Sequence, residues 1–311
     1  FWMFDDEMYF DSHSKYYCQT TDAVITTDYY SVFAYKKLGV SAIFFSDTRS
    51  KSIYYPVEIV KDIDVCFLGD CKKSDRMEYI KFLIKNGISV ETFGVGSKNG
   101  FVNWNEFSKI FSRSKINLNF TKLDKLSWIN KDEPLLNRVR QNKGRPIEIA
   151  LTQSFCLSEY APSLNVMFEA GKEIDVFYTK EEFLEKVKYY LSHPDERKVI
   201  AENAYKKAIT NFIPQVIIPD ILKELEKILG KNNIQKTEKV EIFLSRTFKI
   251  NSINGLTSTM FILIKNRRIL YALELFRELF KYGVFIFFMG FYGGTIRAIK
   301  NMMLLLKTPY K

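Results

Sequence analysis

Short apolar segments alternate with amphipathic ones along most of this chain, and that alternation restricts its fold more than any other feature. DAVITT, DYYSVFAYKKLG and VSAIFFSD (22–47) read as strand, helix and strand, with Gly39 as the helix stop. The rhythm lapses around RSKSIYYPVEI, where Pro56 marks a linker, and resumes with DVCFLGD (64–70), SDRMEYIKFLIKNG and ISVETFG. WNEFSKIFSRS (helix) and KINLNF (115–120, strand) follow, then a polar stretch over 121–144 that reads as loop. RPIEIALTQS and FCLSEY give one more helix and strand, and EIDVFY another strand. TKEEFLEKVKYYLSH opens with Thr179 and Glu182 placed as a capping box, and Pro194 sits in the first turn of the last long helix of this region. Strands and helices in this order imply an α/β fold with a mostly parallel sheet covered on both faces.

Charge separates the body from the tail. Residues 231–311 hold 14 of the 46 Lys and Arg but only 4 of the 36 Asp and Glu, so the formal +10 belongs to the tail. The body is neutral, which gives no basic footprint for nucleic acid. The tail breaks its apolar runs with basic residues, and its longest uncharged run, 282–296, is shorter than a membrane-spanning helix needs. Such a segment suits an anionic membrane surface; a helical extension packed on the body or on a partner is the other reading. The four cysteines lack CxxC spacing, which fits a reducing, cytoplasmic compartment, and the two histidines, His13 and His193, lie in no metal-ligand pattern. The expectation is therefore no metal and no cofactor. The chain opens on Phe1 and FWMFDDEM reads as the end of a buried strand, so the chain is expected to begin inside a domain.

Open parallel sheets bind ligands at the C-terminal ends of their strands. Here those positions include Gly69-Asp70, Gly94 and the Arg145–Glu148 pair. Arg145 and Glu148 are three apart and share a helix face. They could clamp a diphosphate and a ribose, or form a surface ion pair worth about 0–1 kcal/mol. FGVGSKNG (93–100) misses G-x-G-x-x-G by one residue and reads as a glycine loop over a ligand or a plain turn, which argues against a nicotinamide oxidoreductase. Asp5-Asp6 at the end of the first strand could face a cleft, though paired acids at a strand end are usually solvated.

The order DVCFLGD, Arg76, KINLNF, K-G-R-P-x-E-I, FCLSEYAPSL, MFEAGKEIDVF and YYLSHPDER resembles the CgeB-like, group 1 glycosyltransferases over about residues 1–212. The resemblance implies a GT-B fold: two facing Rossmann-like domains, with the donor nucleotide held mainly by the second. Residues 1–58 would be the incomplete acceptor-side domain, 59–212 the nucleotide-sugar domain, 213–230 a closing helix and 231–311 the basic, aromatic-rich helical tail. The implied donor set is Gly69, Arg76, Asn119, Lys143, Arg145, Glu148 and Glu159, with Glu148 on the ribose and Arg76 and Arg145 near the diphosphate. No catalytic residue follows. The implied reaction is metal-independent transfer from a nucleotide-diphosphate sugar to a cell-envelope, polysaccharide or lipid-linked acceptor, in the cytoplasm or at the inner face of the membrane. The other reading is a non-catalytic nucleotide- or sugar-binding module. Two departures bear on this: Arg140 stands where the wider superfamily has a second glutamate, and Gln153 replaces a turn glycine that would let a ligand approach the backbone. Glu148→Ala is expected to abolish nucleotide binding with little loss of stability.

Overall fold

The computed structural model describes residues 2–3, 5–123, 139–231, 246–265, 267–280 and 283–307. Much of the 121–144 loop therefore lies outside the described residues. The chain divides into two compact units, 1–237 and 238–311.

The first unit holds two parallel sheets. β1 (Trp2–Met3), β2 (Val24–Thr26) and β3 (Ala42–Phe44) form a small sheet in that order. β4 (Ile63–Leu68), β5 (Val90–Phe93), β6 (Ser114–Asn119), β7 (Cys156–Glu159) and β8 (Asp175–Phe177) form the larger one, in the order β5-β4-β6-β7-β8. The strand order reverses between β4 and β6. That is the topological switch point, where open α/β sheets leave a crevice.

Period-two patterning sorts the side chains of the larger sheet. Cys66, Leu68, Cys156 and Val176 join Ile110, Phe111, Ile147, Leu151 and Phe212 on one face. Val65, Phe67, Ile116, Leu118, Leu157 and Phe177 join Tyr79, Ile80, Leu83, Phe183 and Val187 on the other. Strands buried on both faces must be apolar throughout, which is why DVCFLGD is a continuous run rather than an alternating one. Phe67, Tyr79, Phe120, Phe177 and Phe183 meet with ring centroids 4.4–6.2 Å apart. Each such ring contributes about 2 kcal/mol by burial.

Helices 76–85 and 107–113 flank β5, and helix 145–151 precedes β7. Helix 180–192 is capped as its sequence predicts: the Thr179 hydroxyl accepts from the Glu182 amide, while the Glu182 carboxylate reaches back to the Tyr178 amide. His193 ends that helix and precedes Pro194, which opens helix 194–211. The body then closes with helix 214–231. The stretch 45–58 links the two sheets, and the returning chain meets it where the Thr48 hydroxyl and the Arg49 amide donate to the Phe212 carbonyl.

The second unit packs helices 246–265, 269–279 and 284–307 around Ile253, Leu279 and Phe287. Gly290 and Gly294 lie against Ile253 and Thr257, where an added Cβ would overlap those side chains. The MGFYGG run thus gives helix 284–307 a smooth seam. Among the described residues, no helix is long and apolar enough to cross a membrane.

Candidate functional site

The C-terminal ends of the two sheets face each other, and segments from both build the space between them. From the small sheet come Asp5, Asp6 and Glu7 after β1, and Asp28 after β2. From the larger sheet come the loop after β4, the loop after β6 and the N-terminal end of helix 145–151. Gln141 spans the gap, its amide donating to Asp5 (2.6 Å) and Glu7 (3.2 Å). The Ser163 hydroxyl spans it again, donating to Asp28 at 2.9 Å.

At the switch point, Gly69 ends β4 with its amide on the Phe93 carbonyl. Gly94 lies so close that a Cβ there would overlap the Gly69 carbonyl oxygen, and its φ of +109° also demands glycine. The 93–100 loop closes on itself: the Gly94 amide donates to Gly100, and Lys98 and Asn99 bond Glu91. Arg76 opens helix 76–85, donates to the Asp70 carbonyl and lies over the Phe67 ring. Lys143 is in electrostatic reach of Arg76 and of Lys73; desolvation, helped by these like charges, lowers its pKa although Asp5 and Glu7 oppose the shift. Lys143 thus shares its electrostatic environment with two further cations. Lys73 is an addition to the sequence reading; its position in the polar turn after β4 was the available signal.

Glu148 is 7% exposed and bound on both sides. Arg145 pairs with one oxygen, and the Arg145 guanidinium lies over Phe107 and Phe111 at 5.5 and 5.4 Å. Arg49, from the linker 99 positions upstream, donates Nε to the other oxygen at 2.8 Å and Nη1 to Asp47. Burial, with Glu148 beside it, pushes the Tyr54 phenol up to about 12. A side chain at Gly144 would overlap the Arg49 guanidinium, so the glycine of K-G-R-P serves that passage. Sequence spacing finds Arg145–Glu148 but not Arg49, which only the fold brings near. With two guanidiniums dependent on it, Glu148 carries structure as well as any ligand, contrary to the expectation that Glu148→Ala would spare stability.

Asn119 and Glu159 end β6 and β7. The buried Asn119 amide donates to the Ser158 hydroxyl across β6 and β7. The Glu159 carboxylate accepts from the Thr121 and Lys122 amides, each at 2.8 Å, and pairs with Arg140 at 2.7 Å. Arg140 thus has a carboxylate partner within the same fold. Gln153 follows the C-terminal end of helix 145–151 and adopts φ +51°, the left-handed backbone that a glycine in this turn would take at little cost. Asp6 corrects the sequence reading: it is buried, accepting from the Thr26 hydroxyl (2.6 Å) and the Tyr35 hydroxyl (2.8 Å). Burial raises the Asp6 pKa above the ordinary carboxylate range despite these bonds.

Beside Glu7 lies a cavity of about 420 Å³ lined by Glu7, Asp28, Tyr30, Val139, Arg140 and Ser163, with Pro162. Burial, then Asp28 and Asp5, push the Glu7 carboxyl up to about 8.

Comparison with known proteins agrees with this architecture. Residues 76–223 match the family described as glycosyl transferase-like. Sucrose-phosphate synthase from Thermosynechococcus elongatus superposes with a TM-score of 0.55 at 10% identity, over 70% of this chain and 61% of that one. The Anabaena protein HepE in complex with UDP and glucose gives 0.54 at 11% identity, over 75% and 71%. TarM from S. aureus, solved with UDP, gives 0.51 at 11% identity, over 68% and 45%. This chain therefore spans 61% and 45% of the sucrose-phosphate synthase and TarM structures. No curated protein matches. The fold is the GT-B glycosyltransferase fold, with parallel α/β sheets facing across a cleft.

Proposed function

We propose that this chain, whose residues 76–223 carry a glycosyl transferase-like region, moves a hexosyl unit from a nucleoside diphosphate sugar to an acceptor hydroxyl. The observation that carries the reading is that Arg76 opens the helix after β4 at the β4/β6 switch point and Lys143 lies in electrostatic reach of it and of Lys73. In glycosyl transfer negative charge builds on the departing diphosphate, and fixed cations stabilise it most where water is scarce. These side chains do that work in our reading without a metal ion. Glu148 takes the ribose hydroxyls, and to do so it exchanges the Arg49 guanidinium for them. Arg145 stays over the Phe107 and Phe111 rings and keeps its ion pair with Glu148. UDP is the first nucleotide to test, because HepE and TarM were solved with it.

The acceptor in this proposal is a polysaccharide, cell-envelope or lipid-linked glycan. The second unit supports a role at an anionic lipid surface. Phe285, Phe288, Tyr292, Ile296 and Ile299 are exposed along one side of helix 284–307, and Lys265, Arg267 and Arg268 are exposed beside Leu270 and Tyr271.

The test is release of nucleoside diphosphate from a panel of UDP-, GDP-, CDP- and ADP-sugars. Turnover of one nucleotide class, lost when Arg76 and Lys143 are both replaced by Ala, is the expected result. Nucleotide binding without turnover of any donor would leave only a binding module on the same fold.

A further inference from the structure

We propose that a second ligand site lies at the end of the larger sheet away from the crevice and takes a sugar phosphate; this does not rest on the transfer reading above. A cavity of about 370 Å³ opens there, where β4, β6 and β7 begin. Its size falls within the range of about 300–1,000 Å³ usual for small-molecule sites. Lys61 precedes β4, Lys115 lies near the start of β6, Gln153 and Phe155 precede β7, and helix 194–211 opens on the same space. Gly69 follows β4 at its other end, and β6 and β7 run parallel to β4. The cavity and the switch-point crevice therefore belong to opposite ends of one sheet.

Four cations line the cavity: Lys61, Lys115, Arg197 and Lys198. Lys115 is committed to Asp64 at 2.5 Å. Arg197 has no such partner among the described residues. Its guanidinium belongs to a residue 8% exposed and donates to the Tyr190 carbonyl. A buried charge without a counter-ion is costly. Lys61 likewise donates to carbonyls, those of Ser112 and Ser114, at 2.9 and 3.1 Å. Desolvation, then the charge of Arg197, lowers the Lys61 pKa, so the two cations are near enough to repel. An anion in the cavity relieves that repulsion and supplies the counter-charge. A phosphate group suits the fork of Arg197 and the point charges of Lys61 and Lys198. His193 gives helix 194–211 no side-chain cap, which leaves its positive end to the same anion.

The rest of the lining selects what carries the phosphate. Asp195 and Glu202 also line the cavity and would repel a bare polyanion, but they accept hydroxyl groups well. The Gln153 amide adds a donor and an acceptor, and Pro194, Phe155 and Ala201 supply apolar surface. One phosphate, several hydroxyls and the apolar face of a sugar ring match the three kinds of lining together.

The experiment is calorimetric titration of the full chain with glucose 6-phosphate, glucose and inorganic phosphate, with the melting temperature of each variant recorded. Glucose 6-phosphate should bind about tenfold or more tighter than inorganic phosphate, and glucose should not bind. Lys198→Glu changes an exposed position, should melt as wild type does, and should weaken glucose 6-phosphate by about tenfold or more. Lys61→Met, which keeps the aliphatic stem, should weaken it in the same direction. Glu202→Ala should tighten inorganic phosphate and narrow the preference for the sugar phosphate. Binding should survive in the variant carrying Arg76→Ala and Lys143→Ala, and UDP should not compete. A folded wild-type chain that does not bind glucose 6-phosphate at millimolar concentration overturns the site. Unchanged affinity in both Lys198→Glu and Lys61→Met, or displacement by UDP, overturns it as well. Inorganic phosphate binding as tightly as glucose 6-phosphate overturns the assignment to a sugar phosphate.

Discussion

Removing the Glu148 carboxylate should cost stability, because two guanidiniums are built around it. Breaking a buried ion pair by deleting one partner costs about 3–5 kcal/mol. Arg49 and Arg145 keep 28% and 21% of their side chains in water, so part of that loss is recovered by hydration. Glu148→Ala should therefore lose about 2–3 kcal/mol. For a chain of this size that is a fall in Tm of about 5–10 °C. Urea unfolding of Glu148→Ala, Arg49→Ala and the double variant closes a cycle, and the pair should couple by about 1–2 kcal/mol. Glu148→Gln, which keeps an acceptor but not the charge, should fall between wild type and Ala. A Glu148→Ala variant within about 0.5 kcal/mol of wild type, with strictly additive single effects, would refute this reasoning.

Gln153→Gly should raise stability by about 1 kcal/mol, since glycine adopts the left-handed backbone there at little cost; a loss on thermal melting would mean that the Gln153 side chain contributes more than its backbone costs. Gly94→Ala should destabilise by about 3 kcal/mol or prevent folding, because the new methyl group overlaps the Gly69 carbonyl; soluble expression with wild-type stability would contradict the close approach of those two loops. Glu7 binds its proton more tightly folded than unfolded, so its contribution is fully present below pH 4.5 and is lost as pH rises through about 8. Glu7→Gln escapes that loss and should gain on the wild type across this window in chemical denaturation, and a pH-independent difference would count against the buried setting of Glu7.

The parts of the fold set by local patterning were readable in advance. DVCFLGD and FCLSEY are apolar on both faces and could only be strands of a covered sheet, and Thr179 with Glu182 capped the helix they were placed to cap. The Arg145–Glu148 pair followed from helical spacing alone. Arg49 did not, because nothing local ties a linker residue to a helix 99 positions later. Asp6 looked like a solvated strand end, yet the turn after β1 folds it under Tyr35 and Thr26. At Gln153 a glycine would have two uses, ligand approach and a left-handed backbone, and the backbone angle that shows the second is set by the fold. The tail shows the same limit. The tail's glycines Gly290 and Gly294 carry no local mark of their partner helix 246–265, against whose Ile253 and Thr257 they pack.

The central claim is that a nucleoside diphosphate binds at the β4/β6 crevice, and its most direct test is a thermal shift of this chain with UDP, GDP, CDP and ADP. A nucleotide at a hundred times its dissociation constant should add about 2.7 kcal/mol of stability. The account predicts a shift with one nucleotide base, lost in a variant carrying both Arg76→Ala and Lys143→Ala. A folded chain that shows no shift with any of the four, or one whose shift survives in that double variant, would contradict it.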